Sequence, residues 1–456
     1  MDFRFLTAVL LGKTVSHLIR FTGGGGTAAP GYYALKIDPN LTQKLAKNLD
    51  KNILVSGTNG KTTTSRLISQ ILSQKHQVVH NRQGSNLIRG IASTLLKNSS
   101  IKKQNGIGIW EVDEAALAEA VAQTSPDIIV FLNLFRDQLD RYGEVNSLRT
   151  KWQKIVSTLP KSTTLILNAD DPGISYLAKF AKCKVAFFGI QDKKINLPEV
   201  SNVGDTRYCP NCSQKLIYSI QFSSHIGHYQ CSNCGFKRPK PQISASNLKF
   251  SPDFSTTVQF TIHYSLFTIH YNLPGLYNVY NVLAACAVSS ALQITSAEIK
   301  TKIASFSPAF GRFQKIKVKN KNILIFLVKN PTGTNEVLRT LATQKNLNLL
   351  TILNDNYADG KDVSWIWDTN WEIVVPSVKN ISVSGIRGWD LANRLKYAGF
   401  KLNKNSVYKD INYSIEKSLE KLNSNDTLII LPTYTALLSV QKTLNKLGGN
   451  LKWHQD

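Results

Sequence analysis

A chain of 456 residues, 42% apolar and 19% charged, is long enough for about three domains with full cores, which excludes a disordered or low-complexity protein. Its formal charge of +25 admits nucleic acid, an anionic membrane face or an acidic substrate as partner, although Lys and Arg spread without a long basic block also fit a merely solvated surface. Four of the six cysteines fall in two CxxC pairs and the others, Cys183 and Cys286, lie in apolar sequence, a usage that suits a reducing compartment.

At the N-terminus, Phe3 to Leu11 is apolar but far short of a bilayer span and is followed by no small-residue cleavage site, so it reads as a first core helix. The chain is therefore expected to be cytoplasmic, with peripheral membrane association through its basic surface left open. Residues 1–50, with the glycine run Gly23–Gly26 and the segment Pro30–Pro39, form a small leading unit.

The short apolar run Asn52–Val55 reads as a buried strand, and Leu67, Ile68, Ile71 and Leu72 fall on one face of a helix from Thr62 to about Ser73. Between them stands SGTNGKTTT. Glycines at 57 and 60 let the backbone turn sharply and aim N–H groups at an anion where the helix N-terminus adds its partial positive charge. Lys61 would reach the outer phosphates and the Thr62 hydroxyl would ligate magnesium. The usual upstream glycine of a phosphate loop is replaced by Val55, which leaves a short GxxGKT that a chance loop could also produce.

Next comes a polar loop, His80–Asn86, and then a strand from Gly106 to Trp110 that runs into Glu111-Val112-Asp113-Glu114. Carboxylates at a strand end near a phosphate loop point to magnesium, with Glu111 the chosen ligand; a solvated helix N-terminus explains Asp113 and Glu114 equally well. Strands at Asp127–Leu132 and Thr164–Leu167 alternate with helices at Glu114–Gln123, Ser147–Thr158 and Gly173–Phe180, the pattern of a doubly wound α/β sheet with ligands beyond its carboxyl edge.

Residues 201–245 break that pattern. Cys209 and Cys212, then eighteen intervening residues, then Cys231 and Cys234 have the spacing of a structural four-cysteine zinc ribbon, with a redox pair as the other reading. Such a ribbon can bind nucleic acid, and Tyr208, Tyr218, Tyr229 and Phe236 could stack on bases, but inside a nucleotide-binding domain a structural or docking role fits better. Segments Thr257–His263 and Leu266–Tyr271 read as a hairpin, followed by LPGLYNVYN and an Ala-rich helix to about Leu292. Phe310–Phe313 marks a turn, and strands at Ile323–Val328, Leu349–Leu353, Glu372–Val375, Ile381–Ser384 and Thr427–Leu431 alternate with helices in a second α/β unit.

Together, GTNGKT at 57–62, EVDE at 111–114, N-x3-DQLD at 133–140, LPGLYNVYN at 273–281 and GR at 311–312 resemble the Mur ligase family of ATP-dependent peptidoglycan-precursor enzymes. Within it the likeness is greatest to the synthase subunit of lipid II isoglutaminyl synthases, on GGGGTAAPG at 23–31, the four-cysteine insertion, DNYADGKDVSWIWD at 355–368, GIRGWDLANRL at 385–395 and LPTYTALL at 431–438.

The resemblance implies an α/β fold: a Mur-ligase-like central ATP-binding domain over 51–305 that carries the zinc ribbon, and a Rossmann-like C-terminal domain over 306–456 that contacts a partner. It implies ATP binding by Gly57, Thr58, Asn59, Gly60, Lys61, Thr62 and Thr63, with Asn278 at the adenine and Arg312 reaching in from the domain junction. Thr62 and Glu111 would hold Mg2+, and Cys209, Cys212, Cys231 and Cys234 structural Zn2+. The implied reaction phosphorylates the α-carboxylate of D-glutamate in lipid II at the inner membrane face, and ammonia then forms D-isoglutamine.

No glutaminase nucleophile is evident here, so a GatD-like glutamine amidotransferase subunit would supply ammonia as a heterodimer partner, and nucleic acid would have no role. Asp355, with Asp359 second, would orient the histidine of the partner's Cys-His pair. Gln138 stands where many relatives have histidine, and Lys329–Gly333 stands where amino-acid-adding relatives carry an acidic, histidine-bearing loop, which fits ammonia as the acceptor. The remaining readings are a Mur-type ligase that adds an amino acid to a carboxylate, and a zinc-ribbon nucleic-acid-binding ATPase.

Overall fold

Apolar strands alternating with amphipathic helices build two α/β sheets in succession. The computed structural model describes residues 2–21, 28–82, 85–98, 104–135, 145–195, 207–308, 313–318, 320–423 and 426–449. Three helices lead: α1 (Phe3–Phe21), α2 (Ala29–Ile37) and α3 (Leu41–Ala46). The first sheet then forms from β1 (Leu49–Ser56), α4 (Lys61–Leu72), β2 (Gln77–His80), α5 (Ile88–Asn98), β3 (Gln104–Glu111), α6 (Leu117–Thr124), β4 (Ile128–Phe131), α7 (Val145–Thr158), β5 (Thr164–Asn168), the short α8 (Pro172–Ser175) and β6 (Lys184–Ile190). The hairpin β7 (Ile217–Ser223) and β8 (Ile226–Gln230) follows, and β9 (Ile243–Phe250), β10 (Thr256–Ile262) and β11 (Ser265–Tyr271) complete the sheet before α9 (Leu276–Ala291) and α10 (Ser296–Ala304).

Among the described residues the strand order is β11-β10-β9-β6-β5-β4-β1-β3-β2. Strands β2 to β6 and β9 run parallel with β1, while β10 pairs antiparallel with both β9 and β11. Alternation along β1 sends Ile53 and Val55 to one face, against Leu67, Ile71 and Val282, and Leu54 to the other, against Trp110, Phe131 and Trp152. Both faces are therefore buried, which is why β1 reads as an unbroken apolar run. The chain leaves β1 toward β2 and β3 on one side and reaches β4 on the other, so the loops after β1 and β4 part and open a crevice at the carboxyl edge.

The second sheet has β12 (Gln314–Val318), β13 (Lys321–Ile325), α11 (Pro331–Ala342), β14 (Leu347–Ile352), β15 (Val378–Ser384), α12 (Gly388–Tyr397), α13 (Ile411–Glu420), β16 (Thr427–Pro432) and α14 (Tyr434–Lys446). Its order is β12-β13-β16-β14-β15, parallel except for β12 at the edge. Here too both faces are covered, by α11 and α12 on one side and α13 and α14 on the other.

Three expectations need correcting. The segment Glu372–Val375 is not a strand but part of a 3-10 helix, Trp371–Ser377, because its buried residues Trp371 and Val374 are spaced three apart and Pro376 offers no ladder donor. The expected helix at Gly173–Phe180 divides into α8, capped by the Asp171 carboxylate on the N–H groups of Gly173 and Ile174, and a 3-10 turn over Tyr176–Phe180. Finally, α1 is longer than the apolar run and is no buried core helix. Ala8, Val9 and Gly12 are buried, while Phe3, Leu10, Leu18 and Phe21 are 81%, 70%, 60% and 93% exposed.

Candidate active site

The loop between β1 and α4 is held open by its own backbone. Gly57 (φ +142°) and Gly60 (φ +90°) lie in the region that favours glycine, and a Cβ on Gly60 would stand 2.1 Å from the Asn281 side-chain oxygen. Asn133 brackets the loop from the end of β4. Its Oδ1 accepts from the Asn59 N–H at 2.9 Å, its Nδ2 donates to the Asn59 carbonyl at 2.9 Å, and its own carbonyl accepts from the Thr58 N–H at 3.1 Å. The Thr58 hydroxyl locks the neighbouring turn by accepting from the Phe135 N–H at 3.0 Å.

Two acidic residues from the end of β3 meet this loop. Thr62 Oγ1 donates to Glu111 Oε1 at 3.0 Å, and Asn81 fixes the Glu111 backbone by exchanging hydrogen bonds of 2.8 and 2.9 Å with its N–H and carbonyl. Lys61 is buried, and its ammonium donates to the Gly57 carbonyl at 2.6 Å, the Thr58 carbonyl at 3.3 Å and Glu114 Oε2 at 2.9 Å. Burial opposes charge on Lys61, but Glu114, backed by Glu111 and Asp113, outweighs it and raises the lysine pKa. Asp113 and Glu114 are 7% and 5% exposed, so the solvated-terminus reading of these two fails, and α6 begins only at Leu117.

The loop faces a cleft of about 980 Å3, open solvent at its mouth included. Its walls include Asn59, Gly60 and Thr63 of the loop, Asn133 and Phe135 after β4, Tyr277, Tyr280 and Asn281 of α9, and Phe326, Lys329, Thr332 and Glu336 of the second sheet unit. Asn330 Nδ2 donates to Asn59 Oδ1 at 3.1 Å, tying that unit to the loop. The adenine candidate Asn278 is buried one turn before Asn281 and accepts from its amide at 3.0 Å, so it stands behind the wall that Asn281 lines. Arg312 and the whole DQLD segment at 137–140, Gln138 included, lie outside the described residues.

The cysteine insertion leaves the sheet after β6 and returns at β9, strands that pair with each other. Its two knuckles are alike: Ser213 (φ 60°) and Gly235 (φ 72°) turn left-handed after the second cysteine of each pair, and their N–H groups donate to the carbonyls of Cys209 and Cys231. The four Sγ atoms all lie within 4.8 Å of one another, with 3.5 Å between Cys209 and Cys234 and between Cys212 and Cys231. Thiolates around a tetrahedral zinc stand about 3.8 Å apart, so the donor set fits that ion and leaves no open position.

Tyr229 stacks on Phe236 at 5.6 Å and is 3% exposed; Tyr218 packs against it, and among these aromatics Tyr208 stays exposed. Beyond the knuckles, the β7–β8 tip enters the cleft wall, where Ser223 Oγ donates to Glu336 at 2.6 Å and Ile226 lines the space.

Asp355 lies elsewhere, at the carboxyl edge of the second sheet. It pairs with Arg387 at 3.3 Å, and Arg387 also donates to Asp390 at 2.7 Å. Asp359 is 6% exposed and is committed to the start of α14, accepting from the Thr435 N–H at 2.8 Å. Around Asp355 the segments that follow β14, β15 and β16 expose Tyr357, Ile386, Trp389 of α12 and Tyr434 of α14.

Glu114 was weighed in sequence but not chosen, and Asn133, Asn281 and Asn330 stand within the segments N-x3-DQLD, NVYN and Lys329–Gly333 without having been picked out; Ser223 left no signal.

Comparison with known proteins covers both units. Residues 55–234 match the Mur ligase middle domain and residues 327–437 match the MurT ligase C-terminal domain. The chain is 34% identical over 443 residues to "Lipid II isoglutaminyl synthase (glutamine-hydrolyzing) subunit MurT" of Staphylococcus aureus (strain COL), covering 96% of this chain and 98% of that one. The subunit of the same name from Streptococcus pneumoniae (strain ATCC BAA-255 / R6) is 32% identical, with 97% and 98% covered. The MurF ligase of Thermotoga maritima in complex with ADP shares the fold, with a TM-score of 0.63 at 14% identity over 91% of this chain and 84% of that one.

Proposed function

The chain belongs to the Mur ligase family, and within it to the MurT subunits of lipid II isoglutaminyl synthase, and on that footing we propose that it amidates the D-glutamate α-carboxylate of lipid II using ATP and ammonia from a glutaminase partner. The observation that carries the reading to residues is the pairing of Lys61 with Glu114 and of Thr62 with Glu111, in the same loop whose Asn59, Gly60 and Thr63 line the cleft.

In this reading Gly57 to Thr63 cradle the triphosphate, Asn278 supports the adenine wall through Asn281, and Arg312 completes the nucleotide site from the domain junction. Thr62 Oγ1 and Glu111 Oε1, already 3.0 Å apart, would hold magnesium, which when bound neutralises charge on the transferring phosphoryl group. The three donors of Lys61 are all spent on Gly57, Thr58 and Glu114, so reaching a phosphate oxygen requires it to release at least one of them. The carboxylate oxygen attacks the γ-phosphorus and ADP leaves. Ammonia then attacks the acyl carbon, loses a proton and expels phosphate, leaving the amide. Cys209, Cys212, Cys231 and Cys234 would hold a structural zinc that braces the β7–β8 tip against the cleft.

The C-terminal unit, from about residue 306 and read as Rossmann-like, would carry the partner. Asp355 is the residue proposed to orient the glutaminase histidine, supported by its place among exposed Tyr357, Ile386 and Trp389 while Asp359 is occupied in capping α14. The nucleic-acid reading is disfavoured because Tyr229 and Phe236 are spent on packing the ribbon.

The test uses lipid II labelled with 18O in the D-glutamate α-carboxylate, together with ammonium and ATP. One labelled oxygen should appear in inorganic phosphate for each amide formed. Amide formation with no label in phosphate would rule out the acyl phosphate, and failure to amidate lipid II at all would reject the function.

A further inference from the structure

The leading helices present a surface that the cleft chemistry leaves unused. On α1 the exposed positions 3, 10, 14, 17, 18 and 21 recur along one stripe, and four of them are large apolar residues, Phe3, Leu10, Leu18 and Phe21. Beside the stripe lie exposed Arg4 and Lys13. On α2, Tyr32 and Tyr33 are half exposed and pack edge to face, with the Lys36 ammonium 4.6 Å over the Tyr32 ring. The sequences of these two helices contain Arg4, Lys13, Arg20 and Lys36 and no carboxylate. No described helix is long and apolar enough to cross a membrane.

An apolar stripe flanked by cations and interfacial tyrosines, whose neighbouring carboxylates Asp2 and Asp38 are both paired with Lys44, matches the boundary of an anionic bilayer rather than a protein face of mixed charge. The stripe is also connected to the site. The Gly31 N–H of α2 donates to Ser93 Oγ of α5 at 2.8 Å, and the first turn of α5 packs on Ser85, where a Cβ on Gly90 would stand 2.2 Å from the Ser85 carbonyl. Asn81 Nδ2 donates both to that carbonyl at 3.1 Å and to the Glu111 carbonyl at 2.9 Å. A short series of contacts thus links the helices to the proposed magnesium ligand.

We propose that α1 and α2 form an interfacial anchor that seats the protein on an anionic membrane surface, with Phe3, Leu10, Leu18 and Phe21 entering the headgroup boundary and Arg4, Lys13 and Lys36 meeting lipid phosphates. The proposal rests on the reading that the substrate is lipid-linked, and it gives that substrate a way to reach the cleft without leaving the bilayer.

The full chain, alone and with its glutaminase partner, is sedimented with vesicles of phosphatidylglycerol and phosphatidylcholine and with pure phosphatidylcholine vesicles, neither containing lipid II. Binding should require the anionic lipid and weaken with salt. Replacing Phe3, Leu10, Leu18 and Phe21 together by Ser should weaken partitioning at least about ten-fold, and Lys13→Glu alone about five-fold or more. Both variants should amidate a short-chain, water-soluble lipid II analogue as well as the wild type does, yet amidate bilayer-embedded lipid II more slowly.

Absence of vesicle binding by the wild type, or equal binding by the variants, overturns the proposal. So does a dimer or partner complex that dissolves on substitution while vesicle binding stays intact. If the wild type binds vesicles but never amidates the soluble analogue, the anchor stands and the functional reading fails.

Discussion

Two carboxyl edges of parallel sheet lie in this chain, and they are finished differently. At the first, Lys61 is bound to Glu114 and Thr62 to Glu111, Asn81 and Asn133 brace the Glu111 backbone and the loop, and the second sheet unit roofs the cleft. At the second, Asp355 is tied only loosely, to Arg387 at 3.3 Å, and its surroundings expose Tyr357, Ile386 and Trp389. The first edge is closed within one chain, whereas the second is the edge proposed to be half a site that a partner completes. Buried charge must be paired where it stands, while exposed aromatic and charged groups in one patch mark a surface that another protein dries.

Breaking the first edge should stop everything downstream of ATP. Lys61→Met removes the charge from the phosphate loop, and amidation from either ammonium or glutamine should fall on the order of a thousand-fold, with the partner's glutaminase activity unchanged. The variant also leaves Glu114 without its cation, so denaturant unfolding should report a loss of about 3 kcal/mol. A variant that keeps ammonium-dependent amidation would remove Lys61 from the mechanism.

Breaking the second edge should separate the two nitrogen sources. Asp355→Asn should lower glutamine-dependent amidation on the order of a hundred-fold by leaving the partner histidine misoriented, and spare the ammonium reaction. An equal fall in both would refute the assigned role. Trp389→Ala tests the patch rather than the acid: the glutaminase affinity, measured by calorimetry, should weaken by about 2 kcal/mol. An unchanged affinity would place the interface elsewhere.

A charge outside both edges should move neither activity. Glu298 caps α10 from within, accepting from the Thr295 N–H, and pairs with Lys75 at 2.8 Å; the lysine first, then Thr295, lowers its pKa from 4.5 to about 2. Because the folded value lies below the ordinary one, its contribution is present above pH 4.5 and is lost as pH falls toward about 2. In Glu298→Gln that part of the pH dependence of unfolding should vanish while amidation stays at the wild-type rate.

What the sequence disclosed follows from how local each signal is. Gly57 and Gly60 were legible because their roles are written in backbone conformation, and the cysteine knuckles because four cysteines at fixed spacing have few other uses. Glu114 was not, because an acidic residue after a strand looks solvated until Lys61 is seen against it. The contact between Ser223 and Glu336 joins residues 113 positions apart in the chain and left no pattern to find. In the second sheet, β12 escaped notice because its QKIKV alternates lysine with apolar residues as an exposed edge does. Glu372–Val375 resembles a strand in its apolar content, although it lies in the 3-10 helix Trp371–Ser377, whose period is three.

The most direct measurement of the division between the two edges is amidation of lipid II by the purified chain without its partner, supplied with ATP and either ammonium or glutamine. Amide should form from ammonium and not from glutamine, and glutamine should become effective once the glutaminase subunit is added. Amide from glutamine by this chain alone, or no amide from ammonium, would contradict a complete ligase site joined to an unfinished glutaminase site.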